Sequence, residues 1–194
     1  MMAKQSKFDD LVAQAGRSQG SSARGLPPVH LWNPPFCGDI DMRIARDGTW
    51  FYGGTPIGRP ALVKLFASIL RKDDEGFMLV TPVEKVGIVV EDAPFLAVEM
   101  AVEGVAIRLR TNVDDWIELG PEHPLRFEPA ASDALRPYAL VRAGLSALVN
   151  RPVFYQLAER VETREVDGVA TCGIASGTAF FPMMPAADLA GADA

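Results

Sequence analysis

Asp39, Asp41 and Arg43 alternate along the run "GDIDMRIARDGTWFY", and alternate residues of a strand point to one face. Two carboxylates and a guanidinium on one face could hold a metal or supply an acid and a base. A solvated strand face with an internal ion pair has the same appearance. A second candidate follows in "TWFYGGTPIGRPALVKLFASIL", where Gly53 and Gly58 have the spacing of the phosphate-cradling G-x-x-x-x-G-K-[ST] loop. Arg59 stands where that loop needs Lys, and Pro60 where it needs a hydroxyl. Pro56 and Pro60 each remove a backbone donor from such a cradle. The pattern therefore reads as a glycine turn feeding a proline-started helix. What survives is Arg59 itself, near a helix N-terminus whose free N–H groups favour an anion.

Trp32, Trp50, Tyr52 and Trp116 could stack on a flat ligand such as a base. At strand positions the same residues also suit a core. Arg108 and Arg110 share a strand face and form the best local basic patch, and Glu84 and Lys85 read as a turn ion pair. The two cysteines, Cys37 and Cys172, are too few for a disulfide framework. The two histidines, His30 and His123, lack zinc-ligand spacing. No Ser-His-Asp or Cys-His set is legible, so no catalytic residue, metal ligand or cofactor is assigned.

The elements that must position these groups follow from periodicity. Phe8, Leu11, Val12 and Ala15 predict a short helix, and "GRSQGSSARGLPP" reads as a linker. Ile40, Met42 and Ile44 alternate with charged residues, and Asp47-Gly48 predicts a hairpin turn. Leu62, Leu65, Phe66, Ile69 and Leu70 form one helical stripe after Pro60. The runs "GFMLVTP", "KVGIVVED", "PFLAVEMAVEG" and "VAIRLRTN" read as strands. Their connections are too short for parallel crossovers and predict an antiparallel meander. Trp116 to Leu119 and Leu125 to Phe127 add short strands. A second helix is expected from Pro152, with Phe154, Leu157, Ala158 and Val161 on its apolar face, then a terminal hairpin and a disordered tail.

The 194 residues suffice for one large or two small domains, and the 48% hydrophobic and 23% charged composition is that of a globular chain. A net charge of −6 argues against a nucleic-acid partner. No apolar run approaches the roughly 20 residues of a membrane span, and the N-terminal stretch lacks a signal-peptide core, so a cytoplasmic location is expected.

The two helices align without a gap, "GRPALVKLFASIL" on "NRPVFYQLAERVE". Arg59-Pro60 falls on Arg151-Pro152, and Glu75-Gly76 on Asp167-Gly168, each just before a strand. A third pair, Arg136-Pro137, shows how common that dipeptide is, but the matched downstream strands favour an internal duplication. Each copy would be a strand–strand–helix–strand–strand unit.

With "LVTPVEKVGIVVEDAPFLAVEM", "LRTNVDD", "GPEHPLR" and "RPVFYQL", the run from Gly38 to Phe66 resembles a bacterial family catalogued as domain of unknown function 1285. The likeness covers His30 to about Leu157. The resemblance implies a domain duplication whose C-terminal half is similar to a pleckstrin-homology-like fold. It further implies a nucleotide-like ligand at the domain interface and a role in signalling, and it brings no catalytic residues.

The expected protein is α+β, with two similar halves, each a small antiparallel sheet packed with one main helix. Residues 1–28 form the N-terminal helix and linker, 29–93 the first domain, 94–185 the second and 186–194 a tail. The preferred function is a small-ligand-binding or signalling module that takes a nucleotide-like or phosphorylated ligand between its halves. Asp41, Arg43, Trp50, Tyr52, Arg59 and Arg151 are its candidate contacts. The alternatives are a metal-dependent enzyme using Asp39 and Asp41 on a phosphorylated compound, and a module that docks a protein partner on a sheet edge.

Overall fold

The computed structural model describes residues 2–20, 25–130 and 135–190, and the chain divides into two units, Met1–Asp92 and Ala93–Ala194. In the first, α1 (Met2–Gly20) and a 3-10 turn (Val29–Leu31) precede β1 (Phe36–Ile44), β2 (Trp50–Tyr52) and β3 (Thr55–Pro56). Helix α2 (Pro60–Ser68) leads into β4 (Leu70–Asp73), β5 (Gly76–Val80) and β6 (Lys85–Val90). The six strands form one sheet in the order β3-β2-β1-β6-β5-β4.

The Asp47-Gly48 turn forms as the sequence predicts. The Thr49 N–H donates to the Asp47 carboxylate at 2.9 Å, which holds that carboxyl below its usual range, and Gly48 takes a φ of 78°. Met42 and Ile44 are buried while Asp39 and Asp41 are exposed, so the alternation reads true. The expected helical stripe is cut short: α2 ends at Ser68, Ile69 is its C-cap residue and Leu70 already opens β4. Phe66, Ile69 and Leu70 are buried with Trp50, Met42 and Ile44 in the core of this unit, while Leu62 and Leu65 are half-buried.

The predicted helix Phe8–Ala15 is the middle of a longer one. Leu11 and Ala15 are fully buried, and the Phe8 ring lies 4.5 Å from Tyr52 and 5.5 Å from Phe66. Thr81 Oγ1 donates to Gln14 Oε1 at 2.8 Å. This packing carries the helix through Gly16, whose intrinsic cost is about 1 kcal/mol. Phe8, Leu11 and Ala15 of α1 thus pack into the first unit. Of the expected linker, residues 21–24 lie outside the described residues.

In the second unit, β7 (Phe95–Glu103), β8 (Ala106–Thr111) and β9 (Trp116–Glu118) precede β10 (Leu125–Pro129), β11 (Leu135–Arg142) and β12 (Leu145–Val149). Their sheet has the order β10-β11-β12-β7-β8-β9. Numbered within each unit and read from the third strand, both sheets run 3-2-1-6-5-4. The first and sixth strands pair in parallel in both: Arg43 opposite Val89 in one, Leu96 opposite Leu148 in the other. The expectation of purely antiparallel sheets is therefore corrected. Short connections do exclude parallel neighbours in sequence. Strands one and six are joined through the whole meander, which is long enough to return in the same direction.

After β12 the chain enters α3 (Arg151–Ala158), then β13 (Val161–Val166), β14 (Val169–Ser176) and β15 (Ala179–Pro185), which form a separate antiparallel sheet. A short helix, α4 (Ala186–Ala190), stands where a disordered tail was expected, and residues 191–194 lie outside the described residues. Asn150 caps α3 by accepting the Val153 N–H at 3.0 Å. Val153 and Leu157 are its buried residues, Ala158 is exposed, and Val161 already belongs to β13. The aligned helices hold different places in the shared strand plan. Helix α2 separates the third and fourth strands of its sheet, whereas α3 follows the sixth. Each nonetheless leads into a three-strand meander, which is why the two stretches align locally.

Lys85 does not pair with Glu84. Its ammonium reaches Asp73 at 2.9 Å, and Arg71 grips the same carboxylate through Nε at 2.6 Å and Nη2 at 2.8 Å. Arg71 Nη1 also donates to the carbonyls of Val29 and Trp32, pinning the 3-10 segment to β4. The Arg71 bonds, aided by Lys85, hold the Asp73 carboxyl below its usual range. A carboxylate with a depressed folded-state pKa stabilises the fold above its unfolded value of about 4, and that contribution fades as pH falls through the folded value. Asp73→Asn should therefore cost about 2 kcal/mol at neutral pH, as expected for charge-assisted hydrogen bonds with little exposure. The difference should shrink below about pH 4. Urea titrations of both proteins across acid pH would show it. A gap that stays constant into strong acid would refute the assignment.

Candidate functional site

The glycine motif resolves into a hairpin. Gly53 and Gly54 have φ of 58° and 79°, the two positive values of a type I′ turn, and Tyr52 pairs with Thr55 across it. Strand β3 separates Gly53 from Gly58, so the two glycines do not share a loop between strand and helix. A phosphate cradle is ruled out by that geometry. Arg59 is the exposed N-cap residue of α2 and its side chain makes no capping bond.

The other predicted contacts occupy different surroundings. The Arg43 guanidinium pairs with Glu91 and lies 4.2 Å over the Phe51 ring. Asp41 is exposed beside it on β1. Trp50 is buried, its ring stacked at 6.3 Å on Phe66, and its indole N–H has no hydrogen-bond partner among the described residues. Tyr52 packs against Phe8. Trp50 thus belongs to the core of the first unit, and Tyr52 lies half-buried at its margin. The Arg108–Arg110 patch is neutralised: Arg108 pairs with Glu103, and Arg110 with Glu99 and Asp114, which raise its pKa. Among the described residues, no group of three or more His, Cys, Asp or Glu converges on a metal-sized site.

A cleft that includes a predicted contact lies in the second unit, at the start of α3. It encloses about 360 Å³ and brings Arg151 together with Arg136 of β11. Leu135, Pro137, Leu148 and Val149 give it aliphatic walls, and Phe154 and Tyr155 its aromatic ones. Arg151 is exposed, as is Tyr155, and the two rings are tilted at 6.3 Å. Arg136 also stacks 5.6 Å from the Tyr138 ring. An apolar pocket with a few convergent charged groups is the usual form of a small-molecule site. Two guanidiniums would orient the negative end of a ligand whose body rests on the aliphatic and aromatic walls. Arg136 was legible only as a common dipeptide. Its partnership with Arg151 depends on how β11, β12 and α3 pack, which linear spacing does not reveal.

Two family models span this architecture. The N-terminal domain model of the domain of unknown function DUF1285 matches residues 27–93, and the C-terminal domain model matches residues 94–183. The chain belongs to the DUF1285 family. A crystal structure of a DUF1285 family protein from Silicibacter pomeroyi DSS-3 is 49% identical, with a TM-score of 0.79 over 93% of this chain and 97% of that one. Another, of a DUF1285 family protein from Shewanella baltica OS155, is 28% identical, with a TM-score of 0.51 over 62% of this chain and 91% of that one. A search of curated proteins gave no match. The DUF1285 fold therefore frames the α3 cleft, and the chemistry of the cleft must be argued from its own residues. No helix among the described residues is long and apolar enough to cross a membrane.

Proposed function

We infer that this DUF1285 chain is a small-ligand-binding or signalling module for a phosphorylated or nucleotide-like compound. The observation that carries the reading is the α3 cleft, where Arg136 and Arg151 flank apolar and aromatic walls. The same reading takes the shared 3-2-1-6-5-4 strand order as an internal duplication with a pleckstrin-homology-like second half. A cytoplasmic setting agrees with Cys37 and Cys172, which form no disulfide among the described residues.

A thermal-shift screen against nucleotides and phosphorylated metabolites, with and without magnesium, tests it. A ligand at about 100 times its Kd should stabilise the folded state by about 2.7 kcal/mol. In a chain of this size that raises the midpoint by several degrees, at about 2–4 °C per kcal/mol. Arg136→Ala and Arg151→Ala should each reduce the shift. Arg151→Ala should leave the ligand-free midpoint nearly unchanged, since an exposed arginine contributes little to folding. Arg59→Ala tests the start of α2 in the same way. A shift that survives the double replacement of Arg136 and Arg151 sinks the cleft as the site.

A further inference from the structure

Strand β13 ends its sheet. One side pairs with β14, and the other has no strand partner among the described residues. It is also the longest strand at any sheet edge of the second unit that is exposed along almost its whole length, with Glu162, Thr163, Arg164 and Glu165 all open to solvent. Such an edge offers a row of backbone donors and acceptors to another strand, and charged side chains are the usual means of blocking it. Here the charges "VETREV" do more than repel. In an antiparallel pairing of two copies, the two-fold axis decides which residues stand opposite each other. An axis on Glu162 or on Arg164 would set like charges face to face. An axis on Thr163 places Glu162 opposite the partner's Arg164 and Arg164 opposite the partner's Glu162, with the two threonines on the axis. Opposite charges and Thr–Thr pairs are favourable across strands, and like charges are not.

The surroundings of the edge suit the same occupant. Arg164 already pairs with Glu162 within the strand, so two copies would form a four-charge cluster of alternating sign. A groove of about 420 Å³ runs beside it, lined by Glu162 and Arg164 and by Val102 and Val105 of the β7–β8 hairpin. Val105 is 77% exposed and Val102 38%, an apolar margin next to a polar edge.

We propose that two copies of this chain associate through antiparallel pairing of their β13 edges about a two-fold axis at Thr163, with Glu162 and Arg164 exchanging partners across it. Sedimentation over a concentration series should show a reversible monomer–dimer equilibrium. Arg164→Glu should weaken it by about tenfold or more, because like charges then face each other. The double variant Glu162→Arg, Arg164→Glu should restore it, since the exchange of sign preserves every cross-strand pair. The register has its own readout. Residues directly opposite across an antiparallel pair lie about 4.5–5.5 Å apart at Cα, within disulfide reach. Thr163 faces Cys172 of its own chain at 3.6 Å, so the background carries Cys172→Ala and Cys37→Ser. In it, Thr163→Cys should cross-link two chains on mild oxidation, and Glu165→Cys should not. A chain that stays monomeric at every concentration overturns the proposal. So does a dimer indifferent to Arg164→Glu that fails to cross-link through Thr163→Cys. Capture of an extended peptide on β13 by a chain that remains monomeric would assign the edge to a different partner and overturn it equally.

Discussion

Phe66→Ala should destabilise the first unit by about 3–5 kcal/mol, the range for a fully buried Phe truncated to a methyl. The side chain is 0% exposed, and two other elements meet on it. The Trp50 ring of β2 stacks at 6.3 Å, and the Phe8 ring of α1 meets it edge-on at 5.5 Å. Truncation would leave a cavity that neither ring fills without moving off its other contacts, and Phe8 is also held by Tyr52. Urea or thermal unfolding measures the cost, and tryptophan emission with Trp32 and Trp116 replaced by Phe reports the lost stacking at Trp50. An unchanged midpoint would place Phe66 outside the core and undo the account of α2.

The same residue shows what the sequence made legible. Phe66 was readable as core because Leu62, Leu65, Phe66 and Ile69 recur at helical spacing, a local pattern, even though the helix ends at Ser68. The Asp47-Gly48 hairpin was readable for the same reason, since its turn chemistry is confined to adjacent residues. The parallel pairing of β1 with β6 was not. It joins residues such as Arg43 and Val89, and nothing local distinguishes a strand that meets its neighbour from one that meets a strand beyond the meander. Helix α1 was cut short because Gly16 and the serines after it carry loop composition, while the burial of Leu11 and Ala15 that sustains the helix is tertiary. Trp50 and Tyr52 could be read as stacking platforms or as core; Trp50 is buried on Phe66, whereas Tyr52 is half-buried against Phe8. The α3 cleft was half legible. Arg151 stood out by its place at a helix start, whereas Arg136 acquires meaning only when β11 lies beside it.

Gly173→Ala is expected to destabilise the second unit by about 3 kcal/mol, the upper end of the overpacking range. The reason is a close approach between strands rather than a special backbone conformation. The register between β14 and β15 slips between Cys172 and Gly173, and there the Phe181 carbonyl and the Phe180 ring close over the glycine. A Cβ at position 173 would sit 2.4 Å from the Phe181 oxygen and 2.6 Å from the Phe180 ring. The Phe180 ring is held in turn by the Arg164 guanidinium at 5.0 Å, and the carbonyl belongs to the backbone of β15. The ring, half-exposed, can turn aside, but the carbonyl cannot withdraw without opening the sheet. Replacing Gly by Ala also restricts the unfolded chain, which favours folding by about 0.4–1 kcal/mol, so the steric term must exceed that gain for the net effect to be a loss. Gly87→Ala supplies the contrast. Its Cβ would meet the Asp39 carboxylate at 2.0 Å, but that group is the end of an exposed side chain and can rotate away. Its cost should stay below about 1 kcal/mol. Denaturant midpoints of the two variants, measured side by side, decide the matter. Equal losses would mean that β15 yields as readily as a surface carboxylate, and the tight contact at Gly173 would have no part in holding the three-stranded sheet together.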